Sequence, residues 1–159
     1  MREGFELHLL RVLSGPYETL ESVLRAGPQE WLPGFTRQGQ ANTAEISVEQ
    51  AGRRIRRRIV VTTGNVERYA YGVTVRIQWR AARHAELYPE LEGHLRLERR
   101  QPAGCSLRLD ARYSPPGGRL GASIDQAVLH KLAESSVGGF LDRVTGLLDH
   151  GGQAPRAIP

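Results

Sequence analysis

Five histidines and one cysteine are the side chains of this sequence best suited to chemistry at neutral pH, and their placement argues against most of it. His8, His84, His94, His130 and His150 lie in separate stretches. They show no H-x-H or H-E-x-x-H spacing and have no cysteine beside them, so no zinc-type ligand set is assembled. His84 and His94 bracket the segment around Tyr88-Pro89, where one of them could serve as a general base; the simpler reading of both is a solvated surface position. Cys105 has no neighbouring cation or helix start to lower its pKa and reads as a small core hydrophobe. Of the 18 glycines, none completes a G-x-x-x-x-G-K-[ST] or G-x-G-x-x-G run behind a strand, so no nucleotide cradle is present. No catalytic residue, metal site or cofactor is therefore expected.

The net charge of +5 comes from 22 Lys+Arg against 17 Asp+Glu, with Lys131 the only lysine. Its densest cluster is Arg53-Arg54-Ile55-Arg56-Arg57-Arg58. Strand alternation divides that run: Arg54, Arg56 and Arg58 share one face, whereas Arg57 falls beside Ile55, Ile59 and Val61. No aromatic residue is interleaved to stack bases, so nucleic acid is not an expected partner. Arg57 on an apolar face needs a partner if buried. Gln50 and Arg99 pose the same question, and two readings stay open for all three. They either decorate an apolar cavity or lie near strand ends and reach back to water.

The elements that must position these side chains follow from periodicity. Residues 3 to 13 alternate through Phe5, Leu7 and Leu9 and read as a half-buried strand. Tyr17, Leu20, Val23 and Leu24 then take helical spacing behind Pro16, closed by Gly27-Pro28, and Gln29 to Leu32 adds one further turn. Strands are predicted from Ala44 to Glu49 and over residues 54 to 63. Thr63-Gly64-Asn65 then punctuates the chain, and residues 66 to 72 are ambiguous. Alternation returns at 73 to 81 (Val73, Val75, Ile77, Trp79, Ala81), at 91 to 98 (Leu91, Gly93, Leu95, Leu97) and at 105 to 113 (Cys105, Leu107, Leu109, Ala111, Tyr113). Each strand shows one apolar and one charged face, the mark of an antiparallel sheet covered on one side.

The cover is one long helix. From Ser123 to Asp149, apolar residues including Val128, Leu132, Val137, Phe140, Leu141, Val144, Leu147 and Leu148 recur at spacings of three and four. Ser123 and Gln126 fit a capping box and Gly151-Gly152 a stop. At roughly 1.5 Å per residue this span reaches about 40 Å, enough to cross a domain of this size. Gly138 and Gly139 interrupt the stripe, each at up to about 1 kcal/mol relative to alanine. Close packing against the notch, approach of a ligand to the helix backbone, or a kink would each account for them.

A chain of 159 residues suits one domain. The expected limits are 1–150, with 151–159 a disordered tail. The lone cysteine, the charged N-terminal stretch and the absence of a run near 20 apolar residues point to a cytoplasmic protein without stable membrane insertion.

Several segments are also familiar as a set. Trp79-Arg80-Ala81, the run Leu87-Tyr88-Pro89-Glu90-Leu91-Glu92-Gly93-His94-Leu95, Tyr113-Ser114-Pro115-Pro116-Gly117, and Leu129 to Glu134 through Phe140-Leu141 resemble the SRPBCC (START/Bet v 1-like) superfamily. The resemblance runs from the first strand to about His150 and is one of pattern, with no catalytic signature. It implies an α+β helix-grip fold: a curved antiparallel sheet of six to seven strands wrapped around a long C-terminal helix, with two short helices after the first strand. It also implies a cavity between sheet and helix. The function expected on that basis is binding of a hydrophobic small molecule, lipid or polyketide-like. The residues expected to line the site are Gln50, Arg57, Ile59, Val61, Val75, Ile77, Trp79, Leu95, Leu97, Leu109, Val128, Leu132 and Gly139. The alternatives are a cyclase or dehydratase-type enzyme in the same cavity, which would need an inward acid or base, and a domain that binds a protein partner. Monomer and homodimer are both open.

Overall fold

A computed structural model describes residues 5–50, 52–82, 90–114 and 126–151, with the backbone alone at 48–50, 126–129, 132 and 151. The chain order is β1 (Phe5–Leu13), α1 (Tyr17–Ala26), α2 (Pro28–Trp31), β2 (Thr36–Gln38), β3 (Ala41–Gln50), β4 (Arg53–Tyr69), β5 (Gly72–Ala81), β6 (Glu90–Arg99), β7 (Cys105–Ser114) and α3 (Gln126–Gly151). The strands form one antiparallel sheet ordered β1-β7-β6-β5-β4-β3-β2. Strands β2 to β7 meander, and β1 closes against the last of them, from Phe5↔Tyr113 to Leu13↔Cys105.

The two short helices arise where the sequence places them. Pro16 is extended and its carbonyl accepts from Leu20 N–H at 3.1 Å, so α1 starts behind a residue that could not continue a strand ladder. Tyr17, Leu20 and Leu24 bury one side. Gly27, at φ 121°, breaks the helix, and Pro28 opens α2 at its first turn.

Two strand assignments change. Thr63-Gly64-Asn65 is no turn: β4 runs unbroken from Arg53 to Tyr69 and slips register between Thr63 and Val66. Glycine and asparagine suit a bulge as well as a turn, and a bulge bends a long strand instead of ending it. The reversal comes at Ala70-Tyr71, within the stretch the alternation left ambiguous. The short β2 has no apolar alternation and escapes pattern reading; it is held by pairing to β3.

Glycine sets the closest strand contacts. A Cβ on Gly93 would sit 2.3 Å from the Asp110 carbonyl oxygen and 2.5 Å from Ala111 Cα, and one on Gly72 would meet the Leu97 oxygen at 1.9 Å. Both are backbone clashes, so the neighbouring strands approach this closely only because those side chains are absent.

Helix α3 fills the concave side. Ala133, Val137, Phe140, Leu141, Val144 and Leu148 are buried against the sheet. Leu147, placed in the stripe by its spacing, is partly exposed, and Gly151 belongs to the helix instead of stopping it. The expected start at Ser123 lies outside the described residues, as does the expected tail beyond Gly151.

The helix follows β1. Phe5 meets His130 edge-on at 5.5 Å, Arg11 meets Asp142, and Gly15 N–H donates to Asp149 Oδ1 at 3.1 Å. On its other side Arg143 donates to the Glu45 carbonyl of β3 at 3.3 Å. Consecutive residues Asp142 and Arg143 thus tie α3 to opposite margins of the sheet.

Candidate functional site

Alternation puts the odd-numbered residues of β5, β6 and β7 on the concave face, and register lines them up in rows across the sheet. One row runs Val61, Trp79, Leu91, Tyr113, Phe5; the next runs Ile77, Gly93, Ala111, Leu7; a third runs Val75, Leu95, Leu109, Leu9. Phe140 of α3 closes on Trp79 edge-to-face, with ring centroids 4.8 Å apart.

Of the residues expected to line a site, Ile59, Val61, Val75, Ile77, Trp79, Leu95, Leu97 and Leu109 are brought together on this buried face. Arg57 is half-buried on the same side, in register with buried Ile46, and donates to the Arg56 carbonyl at 3.3 Å. The side chains of Gln50, Val128 and Leu132 lie outside the described residues.

Gly139 is a correction. It is exposed on α3, and a Cβ built there meets no described residue within 4 Å. The spacing argument could not tell which of two adjacent glycines faces inward. Gly138 does, and it meets the Arg11 guanidinium, which lies 3.3 Å from where its Cβ would be. Arg99 also takes the second of its two readings: it is exposed at the end of β6, with its guanidinium 3.9 Å above the Tyr17 ring. Leu91, Tyr113, Ala111 and Leu7 belong to the concave face without having been named as lining residues. Their alternation carried the signal.

Ionisable groups collect on the opposite face. Asp110 accepts from His8 Nδ1 at 2.8 Å and pairs with Arg96 and with Arg108 Nε at 3.0 Å. Burial raises its pKa, but the His8 hydrogen bond and the two guanidiniums outweigh that and hold the carboxyl below its ordinary value. Tyr69 donates to Glu98, and burial followed by that carboxylate pushes the phenol above its usual range. Arg58 donates to the Gly34 carbonyl, and Arg56 lies 3.7 Å from Glu45. A shallow depression of about 250 Å³ opens on this face between Thr62, Gln78, Arg80, Glu92 and Arg112. His94 lies here too, in register with Arg76 and Asp110, and so cannot serve as a base toward the concave side. His84 is outside the described residues.

Cys105 is buried and free, its thiol pushed up to about 11 by burial and then by Asp149 and Glu18. Such a thiol is a poor nucleophile. Among the described residues, the buried polar or charged side chains are Thr43, Ser106 and Ser136.

Solved structures share this arrangement at low sequence identity. The Zhui aromatase/cyclase from Streptomyces sp. R1128 superposes with a TM-score of 0.55 at 11% identity, over 98% of this chain and 100% of that one. Ara h 8.0201, a Bet v 1 allergen, gives 0.52 at 11% identity, over 92% and 98%. This is the helix-grip fold. TTHA0849 from Thermus thermophilus shows the same helix-grip architecture at 0.52 and 13% identity, over 90% and 96%. No family model matches the chain, and no curated protein matches it in sequence. Among the described residues, no helix is long and apolar enough to cross a membrane.

Proposed function

We propose that this domain is a cytoplasmic binder of an apolar small molecule, lipid or polyketide-like, held between the concave face of the sheet and α3. The observation that carries the reading is the asymmetry of the sheet. Its charged groups crowd the outer face, while the buried residues of the concave face are, apart from Cys105, aliphatic or aromatic. Such a surface attracts ligand by burial, at about 25 cal/mol per Å² of apolar area. The likeness to an aromatase/cyclase and to a Bet v 1 allergen supports the reading at the level of architecture.

Binding is preferred to catalysis because the buried residues described on the concave face include no carboxylate, imidazole or ammonium group to act as an acid or base near neutral pH. Nucleic acid is not proposed as a partner, since Arg56 and Arg58 are engaged by Glu45 and Gly34.

A thermal-shift screen of fatty acids, sterols, aromatic ketones and duplex DNA at low and high salt tests this. An apolar ligand at 100 times its dissociation constant adds about 2.7 kcal/mol by mass action. In a domain of this size that raises Tm by about 5 to 10 °C, nearly independent of salt. A salt-sensitive shift with DNA and none with any apolar compound would overturn the reading. Turnover of a bound compound would replace it with a cyclase or dehydratase.

A further inference from the structure

Strand β1 combines an apolar outer face with an open edge. Elsewhere the outer face of the sheet is mostly charged or polar, as a solvated face should be. On β1 that rule stops at Leu10 and Val12, which turn outward in register with Arg108 and Ser106 and are 51% and 65% exposed. They are two of the four large apolar side chains exposed among the described residues. Leu9 and Leu13 face the other way, and Arg11 between them is paired with Asp142, so this half of the strand offers apolar surface on both sides.

Among the described residues β1 pairs with β7 alone, so every second residue directs its N–H and C=O away from the sheet. Folded proteins shield such edges with proline, lysine, a bulge or a very short strand. β1 has none of these: it runs nine residues in unbroken register. The opposite margin is closed from within. There β2 is three residues long, and beyond it Glu45 of β3 donates its N–H to the Pro33 carbonyl at 2.9 Å and accepts from Arg143 at 3.3 Å.

An open strand edge is completed by another extended strand, with apolar side chains at alternate positions to cover Leu10 and Val12. Among the described residues, β1 itself is the strand of this chain that offers both. It is also self-complementary. Antiparallel pairing about a two-fold axis at Leu10 sets Leu10 against Leu10 of the second copy and Val12 against its His8. Arg11 then stands against Leu9 and Glu6 against Ser14, so no like charges oppose each other.

We propose that two copies of this chain pair antiparallel through β1, joining their sheets into one continuous sheet with Leu10 at the two-fold axis. The proposal is independent of what the concave face binds.

Analytical ultracentrifugation of the full chain over a concentration series is expected to show a monomer–dimer equilibrium in the micromolar range, since one strand edge makes a small interface. Leu10→Lys and Val12→Lys each place a shielding charge at an exposed site. Both variants should keep the wild-type Tm at low protein concentration and raise the dimer dissociation constant at least about tenfold. Mild oxidation tests the register. Leu10→Cys should crosslink to itself, because the axis brings its two copies face to face. Val12→Cys, whose counterpart lies out of reach along the strand, should not, and neither should the wild type, whose Cys105 is buried. A monomer at every concentration would overturn the proposal. So would a dimer that both lysine substitutions leave at full strength, or one in which Val12→Cys crosslinks and Leu10→Cys does not.

Discussion

Arg11 of β1 passes over Gly138 and brings its Nε within 2.5 Å of the Asp142 carboxylate, one helical turn further along α3. The glycine makes room for the crossing, because a Cβ there would lie 3.3 Å from the guanidinium. Its neighbour has no such task. Gly139 is exposed and gives up helix propensity for no contact within 4 Å among the described residues.

The two glycines should therefore respond differently. Gly139→Ala is expected to stabilise the protein by up to about 1 kcal/mol. Gly138→Ala gains the same propensity but must displace the end of a flexible arginine, so its net effect should be smaller. Urea melts of both variants decide it. A Gly139→Ala protein less stable than wild type would show that something does approach that face.

Gly93→Ala should be severely destabilising, by about 3 kcal/mol or more, since the new methyl group meets fixed backbone of β7 at 2.3 and 2.5 Å. Differential scanning calorimetry is the appropriate measurement. A Tm within about 2 °C of wild type, less than about 1 kcal/mol for this size, would mean that β6 and β7 can part at Gly93 without loss.

Phe140→Ala removes the ring that closes on Trp79 and should cost about 3 to 5 kcal/mol in a denaturant melt. A loss below about 1 kcal/mol would show that the space between α3 and β5 collapses freely, and so is not a preorganised site.

Asp110 makes acid stability specific to one carboxyl. Its folded-state pKa lies below the unfolded value near 4, so its contribution is present at neutral pH and is lost as pH falls through the folded value. The Tm gap between wild type and Asp110→Asn should be constant from about pH 7 to about 5 and shrink toward about pH 2. A gap that widens in acid would reverse the sign and point to strain instead of stabilisation.

The alternation of Val73 to Ala81 and of Cys105 to Tyr113 was legible because each strand buries chiefly one face, so side-chain type reports direction nearly residue by residue. The burial of α3 could be read from spacing at Val137, Phe140, Leu141 and Val144 for the same reason. Gly64-Asn65 misled because a bulge and a turn call on the same residues. The Arg11–Asp142 contact joins positions 131 residues apart, and no local pattern announces a pair at that distance. The Trp79 indole nitrogen, buried without a partner among the described residues, was likewise invisible. Alternation says that a side chain points inward, but not whether its polar tip finds a partner there.

The pairing of β1 with β7 also sets a timetable. During synthesis Phe5–Leu13 emerges first, yet the strand it pairs with is Cys105–Ser114. At roughly 5 to 20 residues per second, the roughly 100 residues between them take about 5 to 20 seconds to appear. Through that interval an apolar strand has no ladder to join, and α3, which later lies along it, has not been made. Closure of so long a loop favours slow folding. The nascent chain is therefore most exposed to aggregation or chaperone capture through its first strand.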